Sequence, residues 1–260
     1  EVKAYEQQFA EFFRTKHAVM TNSGSSANLI MLSALALNTK HRKPTHGRPN
    51  IIVPAVSWST TFFPVHQLGF DLKFVDVDAE TFNMHPSTVD EAIDENTVAV
   101  FAVNLLGNPC NLSLLEEICA RKNVVLLEDN CESLGATLYE KQCGTFGLMG
   151  SFSFFFSHHL QTMEGGMVVT DCDELADYLR SLRAHGWVRD ISENSSLYSK
   201  TGDDFEDSFR FVLPGYCVRP LEFSGAVGQV QLDKWPEMLK HRRANAEIAK
   251  DCLNGENFKL

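Results

Sequence analysis

Val124-Val125-Leu126-Leu127-Glu128-Asp129-Asn130-Cys131-Glu132 holds four consecutive apolar residues that run straight into two carboxylates. An apolar run without alternation is the pattern of a strand buried on both faces, as a largely parallel sheet requires. Side chains at the carboxyl end of such a strand emerge into the crevice where α/β proteins bind ligands. Asp129 and Glu132 are therefore candidate site residues by position alone, although an Asp at a strand end is also a common loop cap.

Outward from that stretch the same pattern repeats. Ala18–Thr21, Ile51–Val53, Leu72–Val75, Val98–Val103, Ser151–Phe155 and Met167–Val169 read as further strands. Val2–Phe13, Ala27–Leu37, Ser59–Leu68, Ser87–Ile93, Ser113–Arg121 and Asp173–Ala184 carry helical spacing. The alternation predicts an α/β fold with a mostly parallel central sheet flanked by helices. Lys40–Arg48 reads as a solvated basic connector, and Asp190–Asp207 as a mobile acidic segment able to cover a pocket. From Arg219 the apolar positions suggest a helix broken near Pro236 and resumed through Met238 to Leu253.

The chain has 260 residues, 44% hydrophobic and 22% charged, as in ordinary globular proteins, and a formal net charge of -11. That charge argues against a nucleic-acid or membrane-surface partner, either of which would select a basic face. There is no apolar run long enough to span a bilayer and no signal peptide pattern. The cysteines at 110, 119, 131, 143, 172, 217 and 252 form no CxxC pair. Free thiols, no metal site and a cytoplasmic location are expected. The first residue is Glu1 rather than Met, as expected of a chain from which an N-terminal piece has been removed or left out.

Three further features carry chemistry. Gly24-Ser25-Ser26 opens a helix, offering unpaired amides, hydroxyls and the positive end of a helix dipole to a phosphate, though serine is also a plain N-cap. Trp58 follows Val53-Pro54-Ala55 where a flat ring could stack on a ligand or join the core. Ser151-Phe152-Ser153-Phe154-Phe155-Phe156-Ser157-His158-His159-Leu160 leads into Glu164-Gly165-Gly166. Its Ser/Phe alternation also fits a half-exposed strand. His158 is the candidate acid or base. His159, its neighbour in an extended segment, should point elsewhere, and no role follows for His185.

In order along the chain, Asn22 to Ala27, Val53-Pro54 to Trp58, Phe74 to Asp78, Glu128 to Ala136, Gly144 to Gly147, the histidine segment and Gly215 to Arg219 resemble the DegT/DnrJ/StrS-type sugar aminotransferases. The resemblance implies the type I aminotransferase fold, with residues 1–215 as the large domain binding pyridoxal 5'-phosphate (PLP) and 216–260 as a helical connection toward a C-terminal small domain largely absent from this chain. It also implies a homodimer with shared active sites. Histidine at 158 stands where the family carries the lysine that tethers the cofactor, and Glu132 where glutamine is usual. Both are similar to the 3-dehydratase branch, which removes the C3 hydroxyl of a nucleotide-linked 4-keto-6-deoxyhexose, GDP-4-keto-6-deoxy-D-mannose being the first expectation. PLP would be converted to pyridoxamine 5'-phosphate by an amino donor such as glutamate. No iron–sulfur cluster is expected, since the closely spaced cysteines of the cluster-bearing relatives are missing.

Residue roles follow from the same resemblance. His158 is the catalytic base and acid, Asp129 the partner of the cofactor's ring nitrogen, and Glu132 the neighbour of its phenolic oxygen. Trp58 stacks on the ring, while Gly24, Ser25, Ser26, Ser153 and Ser157 surround the phosphate. Cys217 stands where asparagine usually reaches the phosphate of the neighbouring subunit's cofactor, and a thiol is a poorer hydrogen-bond partner.

Overall fold

The computed structural model describes residues 1–253. The chain runs α1 (Val2–Phe13), β1 (His17–Thr21), α2 (Gly24–Leu37), β2 (Asn50–Pro54), α3 (Ser59–Gln67), β3 (Asp71–Val75), α4 (Pro86–Ala92), β4 (Thr97–Val103), α5 (Leu112–Lys122) and β5 (Val125–Asp129). A short hairpin, β6 (Thr137–Leu138) and β7 (Lys141–Gln142), precedes β8 (Met149–Ser153), β9 (Gly166–Thr170), α6 (Asp173–Arg183), α7 (Asp204–Phe209) and α8 (Glu222–Leu253).

The main sheet has seven strands in the order β1-β9-β8-β5-β4-β2-β3. Only β9 runs against its neighbours; the rest are parallel, so β1, β2, β4, β5 and β8 all release their carboxyl ends at the same edge. The fold class read from the sequence is the one observed.

Helices cover both faces. On one side α2 and α6 bury Ile30, Met31, Leu35, Leu175, Leu179 and Leu182 against β-strand residues such as Val53, Phe101 and Val168. On the other, Leu112, Leu115 and Cys119 of α5 and Val89 of α4 pack on Ile52, Val100 and Leu126. The α2 stretch from Ala27 is apolar nearly all round because it is enclosed by sheet and helices together.

The Ser/Phe alternation of β8 does not mark a half-exposed strand: every residue of β8 is buried. Phe152, with Phe154 just beyond the strand, enters an aromatic layer with Phe9, Phe13 and Trp235, the Phe9 and Phe152 rings meeting edge-on at 5.2 Å. Ser151 faces the α2 side, where its hydroxyl finds a partner. Two buried layers of different polarity, rather than core and solvent, produce the period of two.

The expected break at Pro236 does not occur. Helix α8 continues through it, anchored by the fully buried Trp235 one residue earlier, with Gly225 and Gly228 letting α1 approach. Burial of that face outweighs the one helical hydrogen bond proline cannot donate. The acidic segment 190–207 contains the start of α7, whose N-cap Asp203 accepts from Phe205 and Glu206 amides. No helix among the described residues is long and apolar enough to cross a membrane.

Candidate active site

The carboxyl ends of the parallel strands converge on a cavity of about 420 Å³. Of the residues singled out in the sequence, Gly24, Ser25, Trp58, Asp129, Glu132, Ser153, Ser157 and His158 line it. Residues 190–207 do not, so the acidic segment leaves this cavity uncovered.

Asp129 ends β5 and is 5% exposed. Its Oδ2 accepts from Asn28 Nδ2 and Thr61 Oγ1, both at 2.8 Å, and its Oδ1 accepts from the Cys131 amide at 3.1 Å. Three donors fix the orientation of this carboxylate. Its neighbour Glu128 points away and has a different task. It is fully buried and accepts from the amides of Gly144 (2.6 Å), Phe146 (2.6 Å) and Gly147 (2.8 Å), tying down the loop before β8. Burial raises the Glu128 carboxyl above its ordinary value, against the opposing pull of those amides.

Ser23 caps α2, its hydroxyl accepting from the Ser26 amide at 3.1 Å. The preceding amides of that first turn have no intrahelical acceptor, so they remain available to an anion. Gly24 is required for close approach: a β-carbon there would lie 2.5 Å from Ser153 Cβ and 2.9 Å from Cys131 Sγ. The Ser25 hydroxyl lies 2.9 Å from Thr60 Oγ1, and both residues are on the wall. Ser26 is not. Its hydroxyl accepts from Ser23 at 3.0 Å, which makes it part of the cap rather than the cavity surface.

Trp58 is 68% exposed at the start of α3, which rules out the core alternative and leaves its ring facing the cavity. His158 sits in a turn, its amide donating to the Phe155 carbonyl at 2.9 Å. Burial lowers its pKa below 6.5, while the Glu132 and Asp129 charges pull the other way. The imidazole is thus neutral near pH 7 and able to accept a proton. Glu132 lines the same cavity and accepts from the Leu106 amide at 3.1 Å. His159 turns away toward α8, edge-on to Trp235 at 6.3 Å between ring centres, with its pKa lowered to about 4 by burial. Cys217 is exposed outside the cavity, bridged to Ala184 beside α6. His185 stacks edge-on with Trp187 at 5.1 Å and is not on the wall.

Sequence reading missed Asn28, Ser57, Thr60, Cys131 and Phe155, all on the wall. Asn28 had a signal: a lone amide one turn after Gly24, in a stretch that is apolar from Ala27 to Leu37 but for Asn28 and Ser33. Among the described residues no group of three or more His, Cys, Asp or Glu is arranged to hold a metal ion. Among the described residues no lysine lines the cavity.

The arrangement offers an oriented carboxylate, a phosphate-sized set of donors at a helix start, an exposed indole and an untethered base, which together fit a pyridine ring bearing a phosphate. Comparison with known proteins agrees. The model of the DegT/DnrJ/EryC1/StrS aminotransferase family matches residues 1–259. GDP-4-keto-6-deoxy-D-mannose 3-dehydratase of Yersinia pseudotuberculosis is 51% identical over 259 residues, 99% of this chain and 65% of that protein. The protein of the same name from Escherichia coli O55:H7 is 51% identical over 251 residues, 96% of this chain and 64% of its own. The chain therefore spans just under two-thirds of the length of these curated relatives. The E. coli GDP-4-keto-6-deoxy-D-mannose-3-dehydratase with bound hydrated PLP superposes with a TM-score of 0.93 at 50% identity, covering 99% of this chain and 66% of that one. A GDP-4-keto-6-deoxymannose-3-dehydratase with a trapped PLP-glutamate geminal diamine gives 0.94 at 50% identity, with the same coverage. The aminotransferase-type fold expected from the resemblance is thus the one this structure shares, and the chain belongs to the DegT/DnrJ/EryC1/StrS aminotransferase family.

Proposed function

We propose that the chain forms the cofactor-binding part of a PLP-dependent 3-dehydratase acting on a nucleotide-linked 4-keto-6-deoxyhexose, with GDP-4-keto-6-deoxy-D-mannose as the first substrate to try. The observation that carries this reading is the pairing of Asp129 and His158 in one cavity, with histidine where a tethering lysine would stand and no lysine among the described residues of its wall. A Schiff base with an aldehyde needs a primary amine, which His158 does not offer, whereas its neutral imidazole can accept and return a proton. The identity of 51% to two proteins named as this dehydratase supports the same substrate class.

When bound, PLP and its amine form supply an electron sink for the carbon attached to their ring. The chain's residues bind and steer. The first amides of α2, with Gly24, Ser25, Ser153 and Ser157, would hold the phosphate. Trp58 would cover one ring face and exclude water from it. Asp129 would keep the ring nitrogen protonated, and Glu132 would serve the phenolic oxygen. His158 accepts a proton on a ring nitrogen and returns it to the C3 oxygen as that oxygen leaves. Glutamate supplies two electrons and the amino group, so the net products are the 4-keto-3,6-dideoxy sugar, 2-oxoglutarate and ammonia. Cys217, exposed on the surface, would serve the neighbouring subunit's phosphate in a homodimer.

Incubation of the protein with PLP, glutamate and GDP-4-keto-6-deoxy-D-mannose tests the reading. Ammonia and a deoxygenated keto sugar by mass spectrometry are expected; a stable amino sugar would make the protein an aminotransferase instead.

A further inference from the structure

Asp129 is one end of a polar chain that crosses three elements. Asn28, in α2 and 2% exposed, donates from Nδ2 to Asp129 Oδ2 at 2.8 Å and to the Thr60 carbonyl at 3.4 Å. Its Oδ1 accepts from the Ser151 hydroxyl at 2.6 Å. Ser151 lies in β8, is fully buried, and has a single hydroxyl proton. The short contact to Asn28 takes that proton over the 3.4 Å approach to the Glu128 carbonyl. With its oxygen bonded by Ser151, the Asn28 amide is held against turning over, because the flip would set an oxygen against the carboxylate and leave the Ser151 proton only the longer contact to the Glu128 carbonyl. Thr61 adds the second donor to Oδ2, so Oδ1 is the oxygen with the lighter claim on it.

We infer that Ser151 and Asn28 are positioning residues: the serine fixes the amide, and the amide holds Asp129 in one orientation as the partner of a cationic ring nitrogen. This rests on the cofactor reading above. Removing the donor takes away one of the three bonds that orient Asp129 and leaves only Thr61 on Oδ2. Each charge-assisted bond of this kind is worth roughly ten-fold in affinity.

Asn28→Asp makes the test sharp because it keeps shape and changes only protons. At low pH the introduced carboxyl is protonated, so it still donates to Asp129 and still accepts from Ser151; at high pH two carboxylates face each other. The other titratable groups around Asp129 are Cys131, whose thiol burial raises well above 9.0, Glu132 and His158, and all remain in the variant. PLP affinity by equilibrium fluorescence titration, with the absorbance of the bound cofactor, is measured between about pH 5.5 and 8.5, a range set by the carboxylate pair and the imidazole. Every variant value is divided by the wild-type value at that pH, which removes the titration of the cofactor itself.

The ratio for Asn28→Asp is expected near one at the acid end, falling roughly ten-fold or more toward the alkaline end. Ser151→Ala should weaken binding at all pH values and shift the bound absorbance, with Ser151→Thr restoring both. Ser151→Ala also keeps the question open to measurement should an Asn28 variant misfold. Flat ratios with an unshifted spectrum in both variants would overturn the inference while leaving the cofactor reading intact. A wild-type protein that binds no PLP would overturn both.

Discussion

Gly24 and Ser153 meet so closely on the cavity wall that a β-carbon built on the glycine would lie 2.5 Å from Ser153 Cβ and 2.8 Å from its Oγ. Neither partner can retreat, since Ser153 is the last residue of a buried strand and Gly24 the first of a buried helix. Gly24→Ala should therefore push the start of α2 off the strand ends. We expect a loss of about 1–3 kcal/mol in urea unfolding and PLP affinity lower by an order of magnitude or more. An alanine variant with unchanged affinity would mean that the helix start does not bind the phosphate.

The pH dependence of turnover should report His158. Burial lowers its pKa below 6.5, so the neutral form needed for proton abstraction persists into mildly acid solution. Activity is expected to be level around neutrality and to fall on a one-proton acid limb below about 6.5. Glu132 is the first of the two charges that oppose burial. Glu132→Gln should move that limb to still lower pH, whatever it does to the plateau. A limb that moves up instead would remove Glu132 from the surroundings of the base.

Much of this site could be read from the chain because its parts are strand ends and helix starts, and those leave local marks. The apolar run before Asp129, the Gly-Ser-Ser helix start and Trp58 after Val53-Pro54 were each legible within a few residues. Where reading failed, the deciding neighbour lay far away in sequence. Ser151 reads as the exposed phase of an alternating strand until α2 is laid over it, 123 positions distant at Asn28. Pro236 reads as a break until Trp235 is seen buried against the α1 layer. Ser26 reads as a phosphate donor until its hydroxyl is found turned to Ser23. Periodicity reports that two environments exist, not which one is solvent.

Glu6 and Arg183 form a buried ion pair that joins α1 to α6. Both also hold the strand between them: Glu6 Oε1 accepts from the Met20 amide at 2.7 Å, and Arg183 donates to the Met20 carbonyl at 2.8 Å. Arg183→Ala would leave a carboxylate with its counter-ion gone in a nearly dry place. A destabilisation of about 3–5 kcal/mol is expected, read as a lower urea midpoint at unchanged slope. Exchanging both residues for apolar ones of like volume should recover much of that loss, because desolvation of both charges disappears with them. If the double exchange is as damaging as Arg183→Ala, the Met20 backbone bonds, not the charges, carry the effect.

Acid unfolding should begin at the sheet edge opposite the cavity. Asp94 gathers the amino ends of three neighbouring strands, accepting from Lys73 of β3 at 2.7 Å, Asn50 of β2 at 3.0 Å and Thr97 of β4 at 3.0 Å. The Lys73 ammonium, assisted by Asn50, Asn96 and Thr97, holds its carboxyl far below the usual range. Glu174, bonded to Lys40 and Ser196, is lowered to about 2. Both folded values lie beneath the unfolded ones, so the stability they contribute is complete above about pH 4.5 and is lost as pH falls toward the folded values. Wild-type urea midpoints should be steady near neutrality and decline across that acid window. Asp94→Asn combined with Glu174→Gln should lower the neutral midpoint and flatten the decline. Because Asp94 lies at the strands' amino ends and the cavity at their carboxyl ends, PLP affinity at neutral pH should be the same in the double variant as in the wild type. A matching loss of affinity would show that the two edges of the sheet are coupled, and the decline with acid could then no longer be assigned to these carboxylates alone.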